Sequence, residues 1–480
     1  MLKHAYEKCP LNCGKPSQSI LCSETIQIKL THRFDLKATM FEILAHRTYR
    51  HLFAAQVIAL IGTGLATVAL GLLAFDLAGE NAGLVLGTAL AIKMIAYVGI
   101  APIAAAFAES LPRRSMLVTL DIVRAGVALA LPFVSQIWEV YVLIFLLQAA
   151  SAAFTPTFQA TIPDVLPEEK DYTKALSLSR LAYDLENLIS PMLAAALLTV
   201  ISFHALFAGT VVGFIASAVL VATVILPRHP SPKRRSIYDR TFRGLRIYLA
   251  TPRLRGLLAV NAAVAASASM VFVNTVVIVQ AEFGLKQSAV ALALTGFGLG
   301  SMLAALVLPR LLDKLQDRSV MLGGIGLMII GMFLGILAVS QASLMVLWFI
   351  LGLGYSTAQT PSGRLLRRSS HPEDRPALFA AQFALSHACW LLFYPLAGWF
   401  GTHYGMPLTF AVLGSAGALC ILIALRVWPT KDPEVIEHEH TTLPTEHAHT
   451  QSGTTTKDGV RHAHLYVIDD YHPNWPHLGG

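Results

Sequence analysis

Residues 180–195 read RLAYDLENLISPMLAA and lie inside a mostly apolar run of about 25 residues, long enough to cross a bilayer as a helix. The stretch nevertheless carries Arg180, Asp184, Glu186 and Asn187. Ionisable groups in hydrocarbon cost about 2.5–3.5 kcal/mol each unless they are paired or face water. The stretch therefore predicts a helical bundle that is arranged around a polar cavity.

The composition indicates an integral membrane protein. Of the 480 residues, 55% are hydrophobic and 14% are charged, with a mean hydropathy of +0.58, whereas soluble domains are about 25% charged. The net charge of +7 could indicate nucleic-acid binding. We expect no such partner, because Lys and Arg of membrane proteins collect on the cytoplasmic side. No cleavable signal peptide is visible. A nucleotide-binding loop of the form Gly-x4-Gly-Lys-Ser/Thr is also not visible, so we expect neither an enzyme nor an ATP-driven pump.

Twelve apolar segments of about 20 residues predict an all-α membrane protein with two six-helix halves. The halves cover 52–226 and 256–428, with an N-terminal cytosolic segment (1–51), a central cytosolic loop (227–255) and a tail (429–480). The spans are expected near 52–76, 84–108, 115–137, 140–163, 174–200, 204–226, 256–281, 287–309, 319–341, 343–363, 377–400 and 406–428.

The loops differ in their basic residues. The predicted outer loops contain no Lys or Arg except Lys286, whereas the central loop alone carries nine. The positive-inside rule therefore predicts a multi-pass protein of the cell inner membrane, with both termini and the central loop in the cytosol. Within that loop, Tyr238–Leu249 has helical spacing, with arginines on one side and Phe242, Leu245 and Leu249 on another. We expect an amphipathic helix on the inner leaflet in contact with lipid, with a protein partner as the alternative.

Two interpretations remain for residues 1–39. They form either a cytosolic tail with a Cys9-x3-Cys13 thiol pair, or an upstream extension that the cell does not use, since Met40 begins a natural start ahead of the first span. We favour a disordered or unused segment, because two close thiols and a distant third, Cys22, make a poor metal site.

The plan of six plus six spans with a basic middle loop resembles the Major Facilitator Superfamily. After the second span, Ala105-Ala-Phe-Ala-Glu109-Ser-Leu-Pro-Arg113-Arg114 is similar to that family's G-x-x-x-D-R-x-x-R-R signature. The resemblance implies that Glu109, Arg113 and Arg114 belong to a cytoplasmic charge network that holds one conformation shut. A positive-inside loop without a gating role is the alternative.

Two further runs strengthen this resemblance. In the fifth span, Glu186-x3-Ser190-Pro191-x2-Ala194-Ala195 is similar to the family's antiporter motif G-x-x-x-G-P-x-x-G-G. The run Phe154-Thr-Pro156 to Ala175-Leu resembles the branch that exports drugs and siderophores. The arginine that usually opens the motif of the fourth span is replaced by Phe145, ahead of Gln148.

Several polar residues inside the spans are candidates for the transport pathway. A carboxylate in low dielectric can exchange a proton for a cation, and a neutral imidazole binds transition metals. Structural ion pairing is the alternative: Arg180 can pair with Asp184 at i,i+4, and we expect Asp121 and Arg124 to pair with each other. The residues assigned to the pathway are Asp184, Glu186, Asn187, His387 and Lys93, the last as a counter-charge for the two carboxylates.

The tail holds eight of the chain's 17 histidines. Three pairs have the spacing His-x-His, and a flexible chain that carries them can fold around a cation such as nickel, cobalt, copper or zinc. A solvated low-complexity tail is the alternative. The predicted metal ligands are His438, His440, His447, His449, His462, His464, His472 and His477.

A facilitator-type permease that ends in a His-rich cytosolic tail resembles the bacterial nickel-resistance permeases, some of which also handle cobalt. This resemblance implies secondary efflux of nickel, with cobalt as a further cargo, by proton antiport with alternating access. It implies no cofactor beyond the Ni²⁺ or Co²⁺ that is carried or held by the tail, and we expect a monomer. The alternatives are an exporter of an organic drug or metal chelate, and a metal sensor without transport. The segment 466–476 is apolar enough to dock on the membrane domain.

Overall fold

The computed structural model describes residues 41–78, 82–108, 111–227, 237–337, 340–433, 435–440, 453–456 and 459–476. Contacts divide the chain into two units, Met1–Arg47 and Thr48–Gly480. In the first unit the described residues form a short 3-10 turn over Phe41–Ala45. The expectations for residues 1–39 lie outside the described residues.

Each predicted span coincides with one long helix, with shifts of several residues at the ends. The N-terminal half consists of α1 (Arg47–Ala78), α2 (Ala82–Ala108), α3 (Arg113–Ala130), α4 (Ile137–Val165), α5 (Glu169–Leu197) and α6 (Phe203–Ala222). The central loop contains α7 (Ile237–Ala250). The C-terminal half consists of α8 (Pro252–Val276, followed by a π-helical turn over Val277–Glu282), α9 (Gln287–Leu312), α10 (Asp317–Gly335), α11 (Gln341–Gln359), the short α12 (Ser362–Arg368), α13 (Arg375–Tyr404) and α14 (Met406–Val427).

Ten of the described helices are long and apolar enough to cross a membrane. Helix α2 is apolar along its length with Lys93 as its one charged residue, and the part of it that enters this count is the shorter stretch Ala91–Ala104. Helix α5 is not among the ten, because charged residues such as Asp184 and Glu186 lower its hydropathy. The count of twelve spans therefore stays a prediction, although α2 and α5 are helical where spans are expected.

Proline and glycine set the boundaries of helices in the C-terminal half. Pro376 and Pro407 occupy the first turns of α13 and α14, where the missing N–H has no intrahelical partner to lose. Gly405, between these two helices, has a φ of +80°. Glycine adopts this left-handed conformation without steric cost, so a single residue can connect the two helices.

Helix α7 differs from a simple surface helix. Phe242 and Leu249 are exposed, as expected on a leaflet, but Arg243 is 5% exposed and bonds to Asp374, 131 residues further along the chain. A Cβ at Gly244 would lie 2.0 Å from the Ala377 carbonyl oxygen, so α7 crosses α13 in close contact. The amphipathic interpretation of this helix thus omits Arg243, which a distant carboxylate binds at the interface with α13.

The tail folds into a small antiparallel sheet that the all-α prediction did not include. The strands are β1 (Val435–His440), β2 (Thr454–Thr455) and β3 (Val460–Leu465), in the order β1-β3-β2. The alternation of histidine with other residues in β1 and β3 fits the two-residue period of a strand, which is the signal in the sequence for these strands.

The tail packs on the C-terminal half. Ile436, Tyr466 and Ile468 are buried in the same hydrophobic cluster as Trp428, which follows α14. The guanidinium carbon of Arg253 lies 4.8 Å from the centre of the Trp475 ring. The expectation that 466–476 docks on the membrane domain is confirmed.

Helices α9 and α11 cross with their backbones almost touching. A Cβ at Gly300 would lie 2.0 Å from the Phe349 carbonyl oxygen, and a Cβ at Gly352 would lie 2.0 Å from the Phe297 carbonyl oxygen. Small residues at such crossings let helices pack by van der Waals contact within a membrane.

We predict that Gly352→Ala lowers the thermal unfolding midpoint of the detergent-purified protein, since the helices must separate, at a cost of about 1–3 kcal/mol. The matched control is Gly323→Ala on α10, where an added Cβ has nothing within 4 Å. Scanning fluorimetry of both variants measures the effect. Equal midpoints for the two variants would contradict the close crossing.

Candidate functional site

The polar stretch of α5 lies where the two halves meet. Arg180 and Asp184 form the expected i,i+4 ion pair, with 2.5 Å between Arg180 Nη2 and Asp184 Oδ1. Ser301 of α9 donates its hydroxyl to Asp184 Oδ2 at 2.6 Å, and Asp184 is 2% exposed. Both carboxylate oxygens are thus engaged, and one of these bonds joins the halves.

Glu186 lies near a different helix. It is close enough to Lys93 of α2 to interact with it electrostatically, and the Lys93 ammonium lies 5.6 Å from the centre of the Tyr97 ring. Asn187 is part of α5, but its side chain lies outside the described residues. The structure therefore places Asp184 with α9 and Glu186 with α2, rather than both around one ion.

A cavity of about 390 Å³ lies between the two halves, next to these groups, and residues of both halves line it. His387 and Arg180 line it, whereas Asp184 and Glu186 are not among its described lining residues. His387 Nδ1 donates to the Phe383 carbonyl at 2.7 Å, and its ring meets Tyr97 edge-on at 4.7 Å. Most of the other lining residues are aromatic or carry an amide; they include Gln56, Tyr97, Gln159, Tyr172, Tyr183, Tyr355, Gln359, Gln382, Phe383 and Trp390.

One carboxylate joins the halves at the end of the bundle that carries the arginine-rich loops, which we call the basic end. Arg113 at the start of α3 and Arg375 at the start of α13 both bond to Asp164 in the last turn of α4. Arg113 Nη2 also lies 3.5 Å from the Pro372 carbonyl oxygen. Arg113 thus belongs to a network that crosses between the halves.

The other two predicted gate residues lie differently. Arg114 is exposed, and Glu109 lies outside the described residues. Beside the Asp164 bridge, Arg364 Nη2 is 2.5 Å from Glu169 Oε1, which adds a second ion pair between the halves. Sequence reasoning missed the residues that share these bonds with Arg113. The available signal was Asp164 itself, an acid directly after a proline at the end of an apolar span.

Strand geometry brings two of the predicted His-x-His pairs together. Alternate side chains share one face of a strand, so His438 and His440 of β1 face the same side, as do His462 and His464 of β3. In the antiparallel register His438 stands opposite His462. His472 joins them from the turn that follows β3, and the five imidazoles gather on one side of the sheet.

The five histidines form a cluster in which each offers one nitrogen, and these nitrogens lie within 4.8 Å of one another. His438 Nε2 is 3.1 Å from His440 Nε2, 3.0 Å from His472 Nε2 and 3.2 Å from His462 Nε2. A neutral imidazole has only one N–H group. The five rings therefore cannot form hydrogen bonds at all of these short nitrogen–nitrogen distances. A transition-metal ion bound by several of these nitrogens, at the usual ~2.0–2.1 Å from imidazole, would satisfy them.

Hydrogen bonds at Nδ1 orient the rings. His438 Nδ1 donates to the Ile436 carbonyl at 3.0 Å, and His472 Nδ1 donates to Asp469 Oδ1 at 2.8 Å. A proton held at Nδ1 leaves Nε2 with a lone pair that can bind a metal. Burial, together with the neighbouring imidazoles, lowers the pKa of His438 to about 4, and the same causes lower the pKa of His440.

Asp469 supplies a negative charge next to the cluster. Its burial opposes ionisation, but hydrogen bonds from His371 and His472 outweigh burial and hold the pKa of Asp469 well below its usual range. A carboxylate that accepts from a ligand imidazole makes that imidazole a better donor to a cation.

The remaining predicted ligands, His447, His449 and His477, lie outside the described residues. Among the described residues, the cluster consists of two predicted pairs and His472.

Relatives of the chain are transport proteins. It is 24% identical to macrolide efflux protein A of Streptococcus pyogenes over 182 residues, which are 37% of this chain and 44% of the relative. The alignment thus spans less than half of the length of that relative. An uncharacterised transporter of Bacillus subtilis is 27% identical over 179 residues, 37% of this chain and 42% of the relative.

Solved structures share the fold. The human organic anion transporter MFSD10 superposes with a TM-score of 0.69 at 11% identity, over 79% of this chain and 99% of the other. A bacterial homologue of the iron transporter ferroportin, in an outward-facing state, superposes with a TM-score of 0.68 at 14% identity over the same shares. The sequence profile of the Major Facilitator Superfamily matches residues 52–273 and 257–458. The chain belongs to the Major Facilitator Superfamily and is a multi-pass membrane transporter.

Proposed function

We propose that this transporter exports a divalent transition metal, with Ni²⁺ as the first candidate and Co²⁺ as the second. The observation that carries the proposal is the cluster of five imidazole nitrogens within 4.8 Å of one another. Neutral imidazole suits nickel, cobalt, copper and zinc, whereas magnesium and calcium take oxygen ligands. The cluster thus selects the class of cation that a resistance transporter would have to recognise.

The position of the cluster supports a role in collecting the cargo. It lies at the basic end, which the positive-inside rule assigns to the cytosol of an inner-membrane protein. His472 and the loop before α13 are linked through Asp469, which lies 3.3 Å from His371 Nε2. A metal held there is close to the gate through which an exported ion would enter.

The central groups support exchange of a cation for protons. An ion that enters the cavity meets Arg180, whose charge is offset by Asp184 at 2.5 Å. Glu186 lies near the cation Lys93 and inside a span, where an unpaired charge is costly, and we assign the exchanged proton to it. His387 faces the cavity and offers an imidazole along the same path. We assign proton antiport with alternating access to these residues.

A second candidate function is the export of an organic molecule or a metal chelate. The cavity of about 390 Å³ has the size and the aromatic lining that small organic ligands use. The similarity to a protein named as a macrolide efflux protein also supports an organic substrate. In this case the tail would have a separate role.

The first test separates these functions in cells. A metal-sensitive bacterium that expresses the chain is challenged in parallel with nickel, cobalt, zinc and a macrolide, and cell metal content is measured by mass spectrometry. We expect better growth on nickel with lower cell nickel. Protection against the macrolide with unchanged cell nickel would contradict metal export and support export of an organic molecule.

The second test addresses the cluster directly. We predict that His438→Ala weakens the affinity for Ni²⁺ by about tenfold or more, because His438 Nε2 lies within 3.2 Å of three other ring nitrogens. Equilibrium dialysis of the purified full-length chain measures the affinity. The control is His403→Ala, an exposed histidine at the end of α13. Equal affinities for both variants would remove the cluster as the metal site.

The third test addresses the central pair without leaving a lone buried charge, which would itself cost several kcal/mol. We predict that Arg180→Gln/Asp184→Asn folds but loses metal transport into everted vesicles. The matched control is Arg124→Gln/Asp121→Asn, a buried pair that packs between the rings of Phe154 and Phe214. Transport at the control's level by the Arg180/Asp184 variant would exclude that pair from the pathway.

A further inference from the structure

The turn that completes the histidine cluster also binds the loop in front of α13. Asp469 accepts from His472 Nδ1 at 2.8 Å with Oδ1, and its Oδ2 lies 3.3 Å from His371 Nε2. The next residue, Asp470, lies 2.9 Å from Arg243 Nη1. The residues beside His472 are therefore attached to the bundle at two points.

Both points lead to the bridge between the halves. Arg243 holds Asp374 with two hydrogen bonds, one of them 2.9 Å from Nη2 to Oδ2, and Asp374 directly precedes Arg375. Arg375 bonds to Asp164 of the N-terminal half. From the other side, Arg113 reaches the carbonyl of Pro372 in the same loop. The loop 371–375 thus lies between the tail and the gate, and it contacts both.

The tail sheet is too small to be stable by its own core. Its described strands have six, two and six residues, and sheets of this size need support from packing or from a ligand. Packing against the C-terminal half supplies part of this support. Imidazoles that bind one cation would add to it, because metal binding is coupled to folding in small metal-binding folds. An ion in the cluster would therefore fix the position of the turn at 469–472.

We propose that metal bound by the five-histidine cluster closes the basic end of the transporter. Occupancy of the cluster orders the turn, the turn holds the loop 371–375, and the loop presents Arg375 to Asp164. The identity of the cation rests on the proposed function, whereas the coupling does not. An exporter takes up its cargo at the basic end and then closes that end. Metal bound in the tail would therefore favour the closed conformation of the basic end.

The coupling must act in both directions, because linkage between two equilibria is reciprocal. Metal in the tail stabilises the bridge, and the intact bridge tightens the binding of metal. This reciprocity separates a coupled gate from a tail that folds around metal without effect on the bundle.

Hydrogen exchange of the full-length chain in lipid nanodiscs, with Ni²⁺ or with Mg²⁺ as the control ion, tests the forward direction. We expect Ni²⁺ to slow exchange in β1 and β3 and also, by roughly fivefold or more, around Asp164 in the N-terminal half. Protection of the strands with unchanged exchange around Asp164 would overturn the proposal.

A variant that keeps all five histidines tests the route. In His371→Ala/Asp470→Asn, Ni²⁺ should still protect the strands but no longer the segment around Asp164. The control Glu437→Gln removes one tail carboxylate from an exposed position in β1 and should behave like the unmodified chain. If the double variant keeps the protection around Asp164, the loop is not the route and the proposal is wrong.

The affinity of the tail for Ni²⁺ tests the reverse direction. Asp164→Asn should weaken it by roughly fivefold or more, although Asp164 is not a ligand. Asp171→Asn, which removes a carboxylate that pairs with Lys174 in the same half, should leave it unchanged. Equal affinities would refute the coupling, whereas absence of Ni²⁺ binding in every form would refute the metal site and with it the proposed function.

Discussion

The carboxylate of Asp164 is shared by two arginines that come from different halves of the transporter. Its side chain is 2% exposed, so it is an anion taken out of water, and it is stable there only while both guanidinium groups remain in place. Separation of the halves at the basic end would leave that charge without Arg375. The cost of this separation sets how readily the basic end opens, and other elements at that end act by holding one partner in place or by releasing it.

Local pairings could be predicted from the sequence, and distant ones could not. The pairs Arg180 with Asp184 and Arg124 with Asp121 follow from helical spacing, and both are confirmed. Arg375 meets Asp164 across 211 residues, and no periodicity connects them. Similarly, the spacing of the histidines indicates shared faces. The position of His472 beside the other four histidines depends on the turn at Asp469 and on the packing of the tail, which only the folded chain shows.

The cavity limits how a metal could be carried. A bare divalent ion loses its hydration energy on entering hydrocarbon depth, and a site must replace it with donors or with negative charge. Of the two central carboxylates, Asp184 is already engaged by Arg180 and Ser301. In the proposed antiport mechanism, Glu186 near Lys93 is the carboxylate that would exchange the proton. An ion could then be admitted with the loss of a proton, so that the charge carried across the membrane is reduced.

In the described residues, the imidazole cluster lies in the tail and not in the spans, and this position suits the proposed metal exporter. Five neutral imidazoles would bind a transition metal tightly, and an ion held that firmly in the centre of the bundle would leave slowly and limit transport. At the basic end tight binding is an advantage, because the ion there has to be detected at low concentration. If occupancy also stabilises the Arg375–Asp164 bridge, the tail converts cytosolic metal into a conformational preference of the transporter. In the proposed metal exporter, the weaker donors of the cavity, such as His387, would then carry the ion across.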